Sequence, residues 1–127
     1  MRETALSVNK YIYNILSTDE ALSGLTNGNI YPIVAEEKVT YPFVIFTKTD
    51  AYGQYTKDIL SYDQASVQVA IAAVNYFQTV EIAERVRALL EGRRDNYFYS
   101  ITFDSVTEDY IEDAYVQNLT FTCKIKI

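Results

Sequence analysis

The last ten residues of the chain, 118–127, alternate without exception between polar and apolar side chains. Because successive side chains of a β-strand point to opposite faces, this pattern predicts a strand over residues 115–127 with one buried and one wet face. The apolar positions include Phe121 and Cys123, and the polar ones include Lys124 and Lys126. A chain that ends this way must supply further strands and a layer that covers the apolar face.

Further strands are predicted upstream. Residues 64–73 alternate between Val67, Val69 and Ile71 on one face and small side chains on the other, so another element can approach that second face closely. Residues 43–48 are β-branched and aromatic, and residues 97–109 lead through a turn near 111–113 into the last strand. Pro32 limits a short extended piece at 30–33 to a sheet edge or to the end of a strand.

Two amphipathic helices are predicted, over residues 3–16 and 76–91, with Asn75 capping the second and Gly92 ending it. Between them, Ser17 and Glu20 have the spacing of a capping box for a short helical turn. Glu81 and Arg85 stand four apart on the second helix, which predicts an ion pair between them on the wet side.

The order of these elements, with runs of strands interrupted by helices, predicts an α+β fold. We expect a single domain over residues 1–127, with a mostly antiparallel sheet and the two main helices packed on one face.

The stretch 50–62 shows no periodicity and contains Gly53, so it is interpreted as a long mobile loop or a loose hairpin extension. Its tyrosines, Tyr52, Tyr55 and Tyr62, belong to a set of twelve in the chain. Tyrosine offers a large contact area at a low cost in side-chain entropy. The same residue also suits half-buried sheet edges that have no partner, and both interpretations stay open.

Composition excludes several classes of function. The chain has no His and a single Cys, so imidazole-based catalysis, His-containing metal sites, internal disulfides and CxxC motifs are absent. No nucleophile elbow or phosphate-binding loop is present either. We therefore expect no enzyme, no catalytic residue, no metal and no cofactor. A net charge of −6 disfavours specific nucleic-acid binding, and no apolar run is long enough to indicate a membrane span.

Charged residues form two groups of opposite sign. The acidic group flanks the last predicted turn and has no EF-hand spacing, so a solvated hairpin tip is favoured over a cation site. The basic group follows the second helix, where it can stabilise the helix end or bind a partner. A surface of two signs would permit self-association. The acidic group comprises Asp104, Glu108, Asp109, Glu112 and Asp113, and the basic group Arg85, Arg87, Arg93 and Arg94.

Several segments, taken in order, resemble the tail completion proteins of tailed phages, also called tail terminator or head–tail joining proteins. They are an N-terminal helix followed by residues 19–25 (DEALSGL), 28–32 (GNIYP), 41–46 (YPFVIF), 67–71 (VQVAI) and 83–92 (AERVRALLEG). The resemblance spans nearly the whole chain and ends with an alternating final strand.

The resemblance implies a non-catalytic structural protein of a phage or prophage, located in the virion tail after assembly in the host cytoplasm. It implies self-association into a ring, commonly of six subunits, that caps the tail tube and joins it to the head connector; a monomer in isolation is compatible with this. A small regulatory or ligand-binding module without catalysis is the alternative. The protein-interaction residues we expect are Tyr52, Tyr55, Tyr62, Arg93, Arg94, Glu108, Asp109, Glu112 and Asp113.

Overall fold

The computed structural model describes residues 3–33, 40–57 and 59–127, and it confirms the α+β fold. Five strands form one sheet, which is mostly antiparallel. The strands are β1 (Ile30–Pro32), β2 (Phe43–Thr56), β3 (Ile59–Ala73), β4 (Phe98–Ile111) and β5 (Ala114–Ile125), and the helices are α1 (Val8–Ser17), which follows a 3₁₀ turn at Ala5–Ser7, α2 (Glu20–Thr26) and α3 (Tyr76–Leu90).

The strand order across the sheet is β1-β2-β3-β5-β4. Short β1 runs parallel to β2 at one edge, as Pro32 predicted, whereas the other neighbouring strands are antiparallel. The chain therefore forms two long hairpins, β2–β3 and β4–β5, that lie side by side.

The apolar core lies between the sheet and the helices. α1 packs on β1 and β2, and α3 packs on β3, β5 and β4, so both main helices cover the same face. Val69, Val86 and Phe121 are fully buried there, as their positions in the periodic patterns required. Cys123 is also fully buried, and burial raises the pKa of its thiol to about 12.

The opposite face of the sheet, called the open face, carries the small and polar side chains of the alternation. Ser66, Gln68 and Ala70 on β3 are partly exposed, as are Thr120 and Thr122 beside them on β5. The register places these residues between the buried ones, so they point away from the helices.

Two local predictions around α2 are wrong. Asp19, not Ser17, caps the helix by accepting a hydrogen bond from the Leu22 N–H at 2.9 Å. Arg85 donates to the same carboxylate at 2.8 and 2.5 Å instead of pairing with Glu81. This hydrogen-bonded ion pair lowers the pKa of Asp19 and ties α2 to α3.

The segment 50–62 is a hairpin and not a loop, so the hairpin alternative is confirmed and the loop alternative is wrong; Asp58 lies outside the described residues. β5 pairs with β3 only from Asp63 onward, so the tip of the β2–β3 hairpin extends beyond the rest of the sheet. Leu60 and Tyr55 lie over Gly53, where a Cβ would approach Leu60 Cδ1 to 2.9 Å. The glycine thus allows the two side chains to fold back onto the hairpin.

Candidate protein-interaction surfaces

The residues that the sequence singled out lie at the two opposite ends of the sheet. Ala73 is paired with Tyr115 at one end, and Asp63 with Ile125 at the other. Tyr52, Tyr55 and Tyr62 belong to the overhanging β2–β3 hairpin, and the acidic residues belong to the far end, at the β4–β5 turn.

At the far end, the turn between β4 and β5 consists of only two residues, Glu112 and Asp113, both exposed and both with positive φ. Positive φ at both central positions is typical of the tight hairpin turn whose twist matches that of the strands. The two carboxylates therefore lie at the extreme tip of the sheet.

Glu108 is not part of a freely solvated tip. Its carboxylate accepts hydrogen bonds from the Tyr76 hydroxyl and from Gln117 Nε2, the latter at 3.0 Å. The bond to Glu108 raises the pKa of Tyr76. Gln117 also donates to Thr79 Oγ1 at 3.2 Å, so Glu108 fastens the start of α3 to the sheet.

The remaining acidic side chains do not converge on a cation site. Asp104 accepts from the Thr122 hydroxyl at 2.5 Å on the open face, away from Glu108. In residues 3–33, 40–57 and 59–127 no three potential metal ligands come together.

Beside the acidic tip lies an exposed apolar cluster that sequence analysis missed, here called the aromatic end. Phe77 is 77% exposed and Tyr110 56%. Tyr115 links the cluster, with its ring centroid 4.9 Å from Tyr110 and 5.6 Å from Tyr76, whose ring lies 5.4 Å from that of Phe77. The aromatic end comprises Tyr76, Phe77, Tyr110 and Tyr115.

Local structure explains why these residues meet. β3 ends next to the β4–β5 turn, and α3 begins three residues later, capped by Asn75, which accepts a hydrogen bond from the Phe77 N–H at 2.9 Å. Phe77 lies outside the buried stripe of α3, and that position was the one sequence signal that could have identified it.

At the overhanging end, tyrosines and lysines form a second cluster, here called the tyrosine–lysine patch: Tyr52, Tyr62, Tyr99, Lys124 and Lys126. Lys124 Nζ lies 5.3 Å from the Tyr62 ring centroid, and Lys126 Nζ 5.7 Å from that of Tyr99. The Tyr62 and Tyr99 rings meet edge to face at 6.5 Å. Gln64 Nε2 donates to the Tyr52 hydroxyl at 2.7 Å. The structure thus brings Tyr52 and Tyr62 together with residues that were not predicted.

Arg93 has a structural contact of its own. It donates to the Leu89 carbonyl and to Asp95, both at 3.3 Å, at the C-terminal end of α3. This agrees with the helix-end alternative for the basic group. Arg94 is exposed beside it, and both residues lie between α3 and β4.

A groove with a volume of about 840 Å³ opens between the N-terminal segment and the start of β4. Tyr11 and Tyr97 stack at 3.8 Å along it, and burial raises the pKa of Tyr97. Its carboxylates are already paired, Glu3 with Lys10 at 3.1 Å and Asp95 with Arg93. Neither a nucleophile next to a base nor a metal-ligand set lines this groove.

No helix in the described ranges combines the length and apolarity that crossing a bilayer requires.

The fold occurs in a virion particle. No family model and no curated protein matches this chain. Among solved structures, a chain of the "virion of native gene transfer agent (GTA) particle" matches 90% of this chain and 90% of its own length. The TM-score is 0.77 and the sequence identity is 16%, so the two chains share a fold.

Proposed function

We propose that this chain is a structural protein of a phage, prophage or phage-like particle that acts in tail completion. In this function it forms a ring, hexameric by analogy with the family it resembles, that caps the tail tube and joins it to the head connector. This proposal rests mainly on the fold, which this chain shares with a chain of a gene transfer agent virion over 90% of the length of both.

The distribution of exposed side chains supports a joining role. A subunit of a joint needs contacts with neighbouring copies and with a different protein on each side of the ring. The aromatic end and the tyrosine–lysine patch provide two such surfaces at opposite ends of a rigid sheet. Exposed aromatic clusters of this kind are typical of protein-binding surfaces.

The chemistry of the grooves supports a non-enzymatic role. In the described ranges, Glu3 and Asp95 of the Tyr11–Tyr97 groove are paired with cations, and the single thiol is buried with a raised pKa. The net charge of −6 also suits a particle component that lets DNA pass without binding it.

The test is a phage or prophage that lacks this gene and is complemented with variants. We expect the deletion to leave filled heads with unjoined or overlong tails, visible by electron microscopy. The double variant Tyr52→Ala with Tyr55→Ala should weaken joining, because these side chains are 46% and 66% exposed on the hairpin and contribute little to the core. Tyr13→Ala on α1, 44% exposed, is the matched control that should join normally.

Infectious particles with correctly terminated tails in the deletion strain would contradict the proposal. Recovery of the purified protein with a bound small molecule in the Tyr11–Tyr97 groove, together with normal tails, would favour the ligand-binding alternative.

A further inference from the structure

The aromatic end has the composition of a docking surface. Phe77 and Tyr110 are each more than half exposed, and ring contacts connect them through Tyr76 and Tyr115. The described residues of α3, β4 and β5 leave this cluster uncovered, although the same elements bury the core next to it. Contiguous exposed aromatic residues mark binding sites more often than they occur by chance.

The rim of the aromatic end is acidic. Glu112 and Asp113 are exposed in the adjoining turn, and within the described ranges neither of them pairs with a cation. A partner must therefore combine aromatic or apolar area with positive charge.

The chain itself carries a surface of that description. In the tyrosine–lysine patch, Lys124 and Lys126 lie over Tyr62 and Tyr99, and neither lysine forms an ion pair with a carboxylate in the described residues. Lysine stems and tyrosine rings supply apolar area, and the ammonium groups supply the positive charge.

The two surfaces point in opposite directions. Gln64 and Lys124 alternate with the buried Ala65 and Cys123, so the patch lies on the open face at the overhanging end. Tyr115 precedes the buried Gln117 by two positions, so the aromatic end lies on the helix side at the other end. A two-fold axis would have to place the aromatic end of each copy on the tyrosine–lysine patch of the other copy. Because the two surfaces point in opposite directions, two copies cannot form both contacts at once, so the association is head-to-tail.

We infer that the aromatic end of one copy docks on the tyrosine–lysine patch of the next copy. This inference rests on the proposed function, because it assigns the surfaces through which copies associate in the ring. The aromatic rings provide the buried centre of the contact, and Glu112 and Asp113 meet Lys124 and Lys126 at its rim.

Charge reversal on the two surfaces tests the inference. One variant combines Glu112→Lys with Asp113→Lys, and the other combines Lys124→Glu with Lys126→Glu. By sedimentation equilibrium at about 50 mM salt, where charges are weakly screened, we expect each variant to associate at least about tenfold more weakly than the wild type.

Mixing the two variants should restore association, because every contact between unlike copies then joins opposite charges. A chain with all four reversals should also self-associate. The control, Glu20→Lys with Glu81→Lys, makes the same change of charge on exposed helix positions and should associate as the wild type does. Circular dichroism and thermal melting establish that each variant is folded, and Phe77→Ser removes an aromatic contact without reversing a charge.

Two results would overturn the inference: a wild type that stays monomeric at the highest soluble concentration, or a mixture that associates no better than its components. If the reversed variants fail in tail joining but self-associate normally, the aromatic end binds another tail protein and the inference is wrong. In that case the proposed function still stands, because only normal tails in the deletion strain contradict it.

Discussion

At the scale of single residues, the Asp19–Arg85 pair shows where local sequence rules stop. Ser17 with Glu20, and Glu81 with Arg85, have favourable spacings along the chain, yet the structure uses neither pair. Asp19 and Arg85 are 66 positions apart, and only the packing of α2 against α3 brings them together. Spacing rules describe neighbours on one helix, so they cannot detect a partner on another.

Replacing Arg85 with Met should lower the free energy of unfolding by about 1 kcal/mol, since the Asp19 carboxylate loses a two-bond charged partner at a partly exposed site. The pKa of Asp19 is lowered in the folded state. Its stabilisation is therefore present above the ordinary carboxyl pKa of about 4 and is lost as the pH falls below it. Urea unfolding should show the difference at pH 7 and a smaller one at acid pH.

Arg94→Met is the control for this prediction, since Arg94 is exposed and makes no ion pair within the described part of the chain. The assigned role of Arg85 would be contradicted if both variants lost the same free energy of unfolding. It would also be contradicted if the difference between Arg85→Met and the wild type did not change with pH.

At the scale of elements, an apolar period correctly predicted helices and strands that bury one face. The absence of such a period did not correctly indicate a loop. The helices and the final strands were predicted within a few residues because each buries one face. The overhanging part of the β2–β3 hairpin lacks a buried face, so residues 50–62 show no apolar pattern although they are paired strands. Cross-strand contacts such as Gln64 to Tyr52 hold the segment, and these leave no periodic signal.

Leu90→Ala should lower the free energy of unfolding by about 2–5 kcal/mol, because Leu90 is fully buried at the end of α3 and its truncation leaves a cavity. Leu6→Ala removes the same atoms from a side chain that is 76% exposed and should have little effect. Denaturant unfolding of the two variants measures the contrast, and similar midpoints would show that α3 does not pack as described.

We expect the overhanging part of the β2–β3 hairpin to become more ordered on assembly. In the isolated chain, amides of residues 54–57 and 59–62 should exchange faster than those of 65–72, because β5 pairs with β3 only from Asp63 onward. Hydrogen exchange should slow in the overhang when particles assemble. Protection in the isolated chain equal to that of the sheet centre would contradict this.

At the scale of the whole molecule, charge and tyrosine content pointed to interaction surfaces but not to their construction. The acidic tip and the hairpin tyrosines could be found in the sequence. The aromatic end could not, because its side chains come from three separate segments that only the folded topology places together. The resemblance to tail completion proteins went further than composition, since it suggested an assembly role before any contact was known.

Thermal stability should be nearly constant between about pH 6 and 8, with the melting temperature changing by less than about 2 °C. The chain has no His, the shifted carboxyls Glu3, Asp19 and Asp95 have lowered pKa values, and burial raises the pKa of Cys123. Each of these shifts moves the titration of the group away from neutral pH. Melting curves recorded across this pH range test the prediction, and a marked dependence of the melting temperature on pH would contradict it by revealing a titrating group that the described structure does not contain.

Because Cys123 is buried and the pKa of its thiol is raised, we expect the native protein to react very slowly with thiol reagents, since little thiolate forms and reagents cannot reach it. A cysteine introduced at an exposed position, such as Tyr110→Cys or Tyr55→Cys, would then be the sole site of modification in the wild-type background. Fluorophores attached at these two positions on separate copies would report the distance between the ends of neighbouring subunits without any need to remove the native cysteine.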